Sequence, residues 1–469
     1  MTRLPLSASI AQPTQRHRRL LLTLPACAIP MLSGCGGGDV GYDTEQALYT
    51  VGVPITPNKP NITGGNPRVP ANAKALFSVS PALPAGLTLN VNNGVISGTP
   101  TKLKRQATHT VTARYVGGFT EEKLRITVTA RGTWSAGTPN PFGGPQAAIA
   151  PLPNGKVLVA GWQTDGGLTD RVDIYDTATA RWLPAARMWV PRLDAQCVPL
   201  RNGKVLVFAG ALSSTGGGIP PEVYDPASNT WRATGPMASV RLSAASCLLP
   251  DGRVMVSGGV EPLNSDGSDA PPPLKTIELY DPNGDGNGSW SVLPKPMADP
   301  RVNHASVVLP GGKSVMLVGN NFVVSGLNRV ELYPLDGGDS TLIPSPVTGS
   351  GTQALVLDDG SVLITTDAPS SWRFYPQTST WTTSTHTEAR YRSKMVLLAD
   401  GRVLRAGGSN RNTAEIYNPD VNIWTPAASM AASRAVSASP ILMANGQVLM
   451  IGGLNASTSA SLSTELYTA

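Results

Sequence analysis

Apolar residues in this chain come in short bursts, and each burst is bounded by residues that turn the backbone. Seven times a Gly preceded by Asn, Asp or Gly opens such a burst: Asn154-Gly155, Asn202-Gly203, Asp251-Gly252, Gly311-Gly312, Asp359-Gly360, Asp400-Gly401 and Asn445-Gly446. The run after Asn202-Gly203, Val205 to Phe208, is typical. The turn glycines lie 48, 49, 60, 48, 41 and 45 residues apart. Runs this short suit buried strands rather than helices. Asn-Gly and Asp-Gly between apolar runs are the strongest local hairpin signal, and the expected two-residue turn needs positive φ at both positions. Another apolar stretch precedes each turn, as in Ala244 to Leu249. The chain therefore predicts seven hairpins at a regular period, which marks a repeat architecture.

Each hairpin leads to a further strand ending in Tyr: Tyr175, Tyr224, Tyr280, Tyr333, Tyr375, Tyr417 and Tyr467. Five of these are followed by Trp: Trp182, Trp231, Trp290, Trp381 and Trp424. Four short antiparallel strands in about 45 residues is the size of one propeller blade. The seventh copy reaches Glu465-Leu466-Tyr467 without a Trp-bearing strand, and Trp134 stands ahead of the first copy with no strands of its own. The expectation is that the strand around Trp134 completes the seventh blade, because closure removes exposed sheet edges. The predicted fold class is all-β, a seven-bladed β-propeller over 132–469 closed by the Trp134 strand. Gly pairs after the second strand (Gly258-Gly259, Gly407-Gly408, Gly452-Gly453), followed by the Tyr and Trp, make the pattern resemble the kelch repeat. The resemblance implies a propeller like the central domain of galactose oxidase. Copies four and five depart from it: no Trp follows Tyr333, and Thr365-Thr366 replaces the Gly pair.

Residues 45–131 carry no such repeat. Short strands separated by turn residues, ending in the alternating Leu124 to Thr129, predict a small β-sandwich. The stretches Leu83 to Asn90 and Gly94 to Thr101 resemble the Ig-like, cadherin-like modules of bacterial surface proteins.

The first 34 residues hold four Arg and no acid, then an apolar run broken by Pro and too short to span a membrane. The run ends in Leu32-Ser33-Gly34-Cys35. This resembles the lipobox of bacterial lipoproteins, and implies a signal peptide over 1–34, lipidation of Cys35 and a flexible tether over 35–44. Cys27 is a poorer match, because Pro25 stands where a small unbranched residue is wanted. Gly36 after the lipidated Cys implies an outer-membrane anchor, on its periplasmic or cell-surface face. The whole chain carries 37 Lys and Arg against 31 acids. Without the four leader Arg the surplus falls to +2, which removes the support for nucleic-acid binding. Gly and Pro together account for 91 of 469 residues and only 14% are charged, a composition that excludes coiled coils and charged helical bundles. Cys197 and Cys247 sit in successive repeats, either as two buried thiols or as a disulfide pair.

Chemistry is sparse. The copper-radical oxidase implied by the galactose oxidase resemblance needs Cys, Tyr and His ligands in one place. Outside the leader this chain has only His109, His304 and His386, none beside a Tyr. No cofactor is expected. One charge pattern recurs: Arg192, Arg241, Arg301 and Arg390 lie 11 residues before the turn Gly, and Arg434 lies 12 before it. They are candidates to bind an anionic ligand by bidentate contacts at the channel mouth. The competing reading pairs them with the acids near each Tyr: Asp173, Glu222, Glu278, Glu331, Glu415 and Glu465. Copy five has Gly349 and Arg373 at those two registers. Asp281, Asn283, Asp285 and Asn287 match the first half of a calcium loop, but Val292 stands where its bidentate Glu belongs. The long loops 211–220 and 261–274 join the second and third strands and form the preferred interaction surface. The expected function is a non-catalytic, lipid-anchored module binding a protein or glycan, of unknown oligomeric state. A metal-free sugar epimerase or mutarotase is the alternative.

Overall fold

The computed structural model describes residues 39–63, 75–116, 118–140, 147–164, 167–192, 195–210, 219–262, 272–284, 286–319, 329–434, 438–453 and 463–469. The leader and Cys35 lie outside them. Among the described residues no helix is long and apolar enough to cross a membrane.

The N-terminal part is a sheet ordered Gln46–Thr50, Gly118–Thr129, Lys104–Tyr115, Leu76–Ser80, whose first pair is parallel and the rest antiparallel. It packs with two short hairpin-like pairs around Tyr42, Phe77, Ile96, Val111, Leu124 and Ile126. Asp39–Tyr42 pairs with Pro60–Thr63, and the Tyr42 hydroxyl donates to Gly94 O at 2.7 Å. Residues 39–44 therefore do not belong to a flexible tether: a buried aromatic anchors them to the sandwich.

Seven four-stranded antiparallel sheets follow among the described residues. The first runs Ala148–Pro151, Lys156–Ala160, Val172–Asp176, Arg181–Pro184, and the second Gln196–Pro199, Val205–Phe208, Glu222–Asp225, Thr230–Ala233. The third to sixth repeat this order over 245–292, 305–344, 353–385 and 394–426. The seventh takes Ala438–Leu442, Val448–Gly452 and Glu465–Thr468 from the C-terminal end and Thr133–Ala136 from the N-terminal side, with Trp134 opposite Tyr467. The first strand of each sheet touches the first strand of the next, and that of the seventh touches that of the first. The cycle of neighbours is closed.

Second strands such as Val205–Phe208 are buried on both faces, which explains their unbroken apolar runs. Between successive sheets lie separate apolar clusters, such as Leu158, Val172, Val207 and Tyr224. In five of the seven sheets the Tyr of the third strand meets its cross-strand Trp: Trp182 stands 5.1 Å from Tyr175, Trp231 5.0 Å from Tyr224 and Trp134 5.0 Å from Tyr467. In the fifth sheet the partner of Trp381 is Phe374, at 4.8 Å, and not Tyr375. In the fourth the Tyr333 hydroxyl donates to Lys295 O instead.

The hairpin turns differ from the expected geometry. Positive φ at both turn residues occurs only at Asn154-Gly155 and Gly311-Gly312. In the other five, Gly alone is left-handed, as at Gly203 (φ 82). The preceding side chain explains the difference: Asn202 Oδ1 accepts the Lys204 amide at 3.1 Å, and Asp251 Oδ1 the Arg253 amide at 3.0 Å. Gly203 N–H also bonds Leu200 O at 3.0 Å. This is a type I turn followed by a left-handed Gly, the three-residue hairpin form.

Candidate functional site

The connectors that lead from one sheet to the next share a rim with the segments joining second and third strands. Thus the Met188 amide donates to Asp170 O at 2.9 Å, and the Met297 amide to Lys275 O at 2.9 Å. The recurring arginines lie in these connectors. Arg192, Arg301 and Arg434 are 0% exposed, and Arg241 and Arg390 1%. Arg192 reaches Glu222 at 2.9 Å, Arg241 Glu278 at 2.7 Å, Arg390 Glu415 at 3.2 Å and Arg434 Glu465 at 3.2 Å. Arg301 and Glu331 stand 4.0 Å apart. Each Arg also donates to a carbonyl at the end of its sheet's second strand: Ala209, Gly258, Gly319, Gly407 and Gly452. Each Glu accepts, in addition, the backbone N–H three residues before the Arg, from Trp189, Ala238, Ala298, Thr387 and Ala431.

One acid therefore holds the connector twice, by its amide and by its guanidinium. The expected anion site does not survive this geometry: a guanidinium without exposed surface, turned onto carbonyls and a carboxylate, has no face for a ligand. Burial lowers the pKa of Arg192, Arg301 and Arg434 from the free value, and the neighbouring glutamates oppose the shift.

In the third sheet the Gly at the end of the second strand serves the same device. Gly258 has φ 59, and a Cβ there would stand 2.3 Å from Arg301 O. Its neighbour Gly259 donates to Arg301 O at 2.8 Å. The Gly pair of the third sheet thus receives the connector of the fourth. The first sheet has Arg171 beside Asp173 at 3.2 Å, two residues away on the same strand region. In the fifth, Arg373 binds Ser361 Oγ, Asp359 and Pro419 O, reaching toward the sixth sheet.

A residue the sequence reading missed lies four before each Arg: Met188, Met237, Met297 and Met430, but His386 in the sixth sheet. His386 packs on Trp424 at 4.6 Å, and its Nδ1 stands 3.4 Å from Glu415. Burial drives its pKa below the usual value against the pull of Glu415, with Arg405 and Arg390 adding to the drop. Arg405, also buried, is lowered to about 10 by burial. The Met-to-Arg spacing was visible in the chain and would have marked the connector.

His304 precedes the first strand of the fourth sheet and pairs Nε2 with Ser257 Oγ at 2.8 Å. Burial, then Arg301, lowers its pKa to about 3, so it is neutral. It borders a cavity of about 260 Å³ among the first strands, with Gln196, Ser246 and Gln353. A larger cleft of about 780 Å³ separates the sandwich from the fifth and sixth sheets, lined by Lys104, Arg105, Asp358, Tyr375, Arg402 and Asp420. Arg402 donates across to Ala130 O at 2.8 Å.

Cys197 and Cys247 are free thiols, raised by burial to about 12 and about 11. In the proposed calcium turn, Asp281 Oδ1 accepts the Asn283 amide and Arg232 donates to Gly286 O. Asp285 lies outside the described residues, as do most of loops 211–220 and 261–274. Among the described residues no three His, Cys, Asp or Glu converge to hold a metal ion.

The rim surface is polar. Ion pairs recur on it, Arg187 with Asp170 at 2.7 Å, Arg411 with Glu388 at 3.1 Å and Arg329 with the buried Asp299 at 2.8 Å. Two aromatics stand out of it, Trp189 and Tyr391.

No curated protein matches this chain. Among solved structures it is similar to a novel fungal alcohol oxidase with catalytic diversity among the AA5 family, in complex with copper. The identity is 17%, the TM-score 0.57, and the match covers 72% of this chain and 76% of that one. This likeness concerns the fold; His304, His386, Cys197 and Cys247 sit on different sheets or connectors and do not supply a copper donor set. Residues 40–131 match the family model described as "Putative Ig domain".

Proposed function

We propose that this chain is an exported, lipid-anchored, non-catalytic binding protein. In this reading an Ig-like module carries a seven-bladed kelch-type β-propeller over 132–469. Its rim holds a glycan or protein ligand, and Cys35 is the anchor to the outer membrane. The observation that carries the binding role is the rim itself. Buried Arg–Glu pairs fix the connectors into the second, third, fourth, sixth and seventh sheets, while polar and aromatic side chains beside them face solvent. Rigid supports for surface groups are what a recognition face needs.

The test is to screen the purified protein against glycan arrays and envelope extracts. Stoichiometric capture supports the module; turnover of a bound sugar supports the enzyme alternative, an epimerase or mutarotase. Anchoring is checked separately by expressing the chain in bacteria with labelled fatty acid. Label is expected on the wild type and lost on Cys35→Ser.

A further inference from the structure

Trp189 is a large side chain for which the fold has no use. Alone among the nine tryptophans it is exposed, at 66%. It stands three residues before its clamp Arg, where the other clamped connectors have Ala238, Ala298, Thr387 and Ala431. The clamp uses only the backbone at that position, through the 2.8 Å bond from the Trp189 amide to Glu222 Oε2. Its neighbours are locked, with Met188 3% and Arg192 0% exposed. A rigid main chain thus presents an indole to water, and binding there costs the freedom of only two side-chain torsions.

The surroundings select the partner. Arg187 and Asp170 form an exposed ion pair on the same connector and on the segment bonded to it. A protein anchor residue sits within a water-excluding apolar patch. Trp189 instead follows two residues after Arg187, whose exposed pair with Asp170 supplies charged donors and acceptors on this stretch of the rim. That mixture matches a pyranose ring, which offers C–H groups on its face and hydroxyls around its edge. Tyr391, the other exposed rim aromatic, already carries the Arg392 guanidinium 5.3 Å from its centroid.

We propose that Trp189 is a stacking platform for a neutral, equatorially linked pyranose of a glycan, with Arg187 and Asp170 holding its hydroxyls. This rests on the rim-binding reading and names its ligand class.

The experiment titrates full-length protein carrying ¹⁵N-labelled tryptophan with cellohexaose, chitohexaose and β-1,4-xylohexaose. One indole N–H signal is expected to move, and to be missing in Trp189→Phe. Trp189→Ala should lower affinity about ten-fold or more with an unchanged melting temperature, and Arg187→Ala should weaken binding less. Equal binding by wild type and Trp189→Ala would overturn the platform and leave the rim reading standing. If no oligosaccharide binds, but an envelope protein is captured by wild type and lost by Trp189→Ala, the sugar class is overturned in favour of a protein. If neither binds, the rim reading fails with it.

Discussion

The arginine clamps show how a buried charge is made tolerable. Arg241 gives its donors to Glu278, Gly258 O, Thr276 O and Thr276 Oγ1, and Glu278 accepts the Ala238 and Ser239 amides as well. Removing one partner leaves the other charge buried without compensation, which costs about 3–5 kcal/mol. Arg241→Ala is therefore expected to lower stability by that order in chemical denaturation. An apolar double replacement, Arg241→Met with Glu278→Leu, should recover only part of it, because it removes the uncompensated charge but leaves the Ala238 and Ser239 amides without their acceptor. His304 and His386 act in the opposite direction. Burial holds the His304 pKa at about 3 in the fold, against about 6.5 for a free imidazole, so acid protonates the unfolded chain first. Stability is intact above about pH 6.5 and falls below it, by up to about 1.4 kcal/mol per pH unit. His386 is shifted the same way. His386→Met, the residue of four other connectors, should flatten the acid limb of a stability-against-pH curve without loss at neutral pH.

At the level of elements, the seventh sheet depends on a strand from the far side of the chain. Trp134 stacks on Tyr467, and its indole donates to Ala428 O at 2.8 Å. Trp134→Ala should loosen this strand and bare the edge of Glu465–Thr468. Concentration-dependent association in size-exclusion chromatography is the expected sign, since an unpaired edge recruits another. The partnership was legible because the strand ending in Tyr467 is followed by no further strand, while Trp134 stands ahead of the first copy with no strands of its own. Other features were less so. The turn glycines were readable, since Gly tolerates positive φ, yet the turn type was not. An Asn or Asp side chain that bonds the amide two residues on favours the three-residue form over the expected one. Arg register alone also left two destinations open. A spacing of 11 residues places a guanidinium at a rim but does not say whether it faces solvent or a carboxylate. Trp189 passed unremarked because the Tyr–Trp spacing assigned tryptophan to the outer strands.

Across the whole molecule, the sandwich is tied to the sheets and does not hang from a free linker. Ala130 O accepts from Arg402, Arg131 O from the Tyr467 hydroxyl and the Ala428 amide, and Asp420 O from Gln106. Pinning at these points fixes the direction in which the rim faces relative to the sandwich. The closing strand also imposes an order in time. Its partner Tyr467 lies 336 residues beyond the pinned Arg131. At about 5–20 residues per second of synthesis, roughly 20–70 s separate the appearance of the two. Throughout that interval Thr133–Ala136 has no partner and the first sheet lacks one neighbour, so the ring cannot be completed until the last strand emerges. Until then its unpaired edges are the part of the chain most open to pairing with another strand.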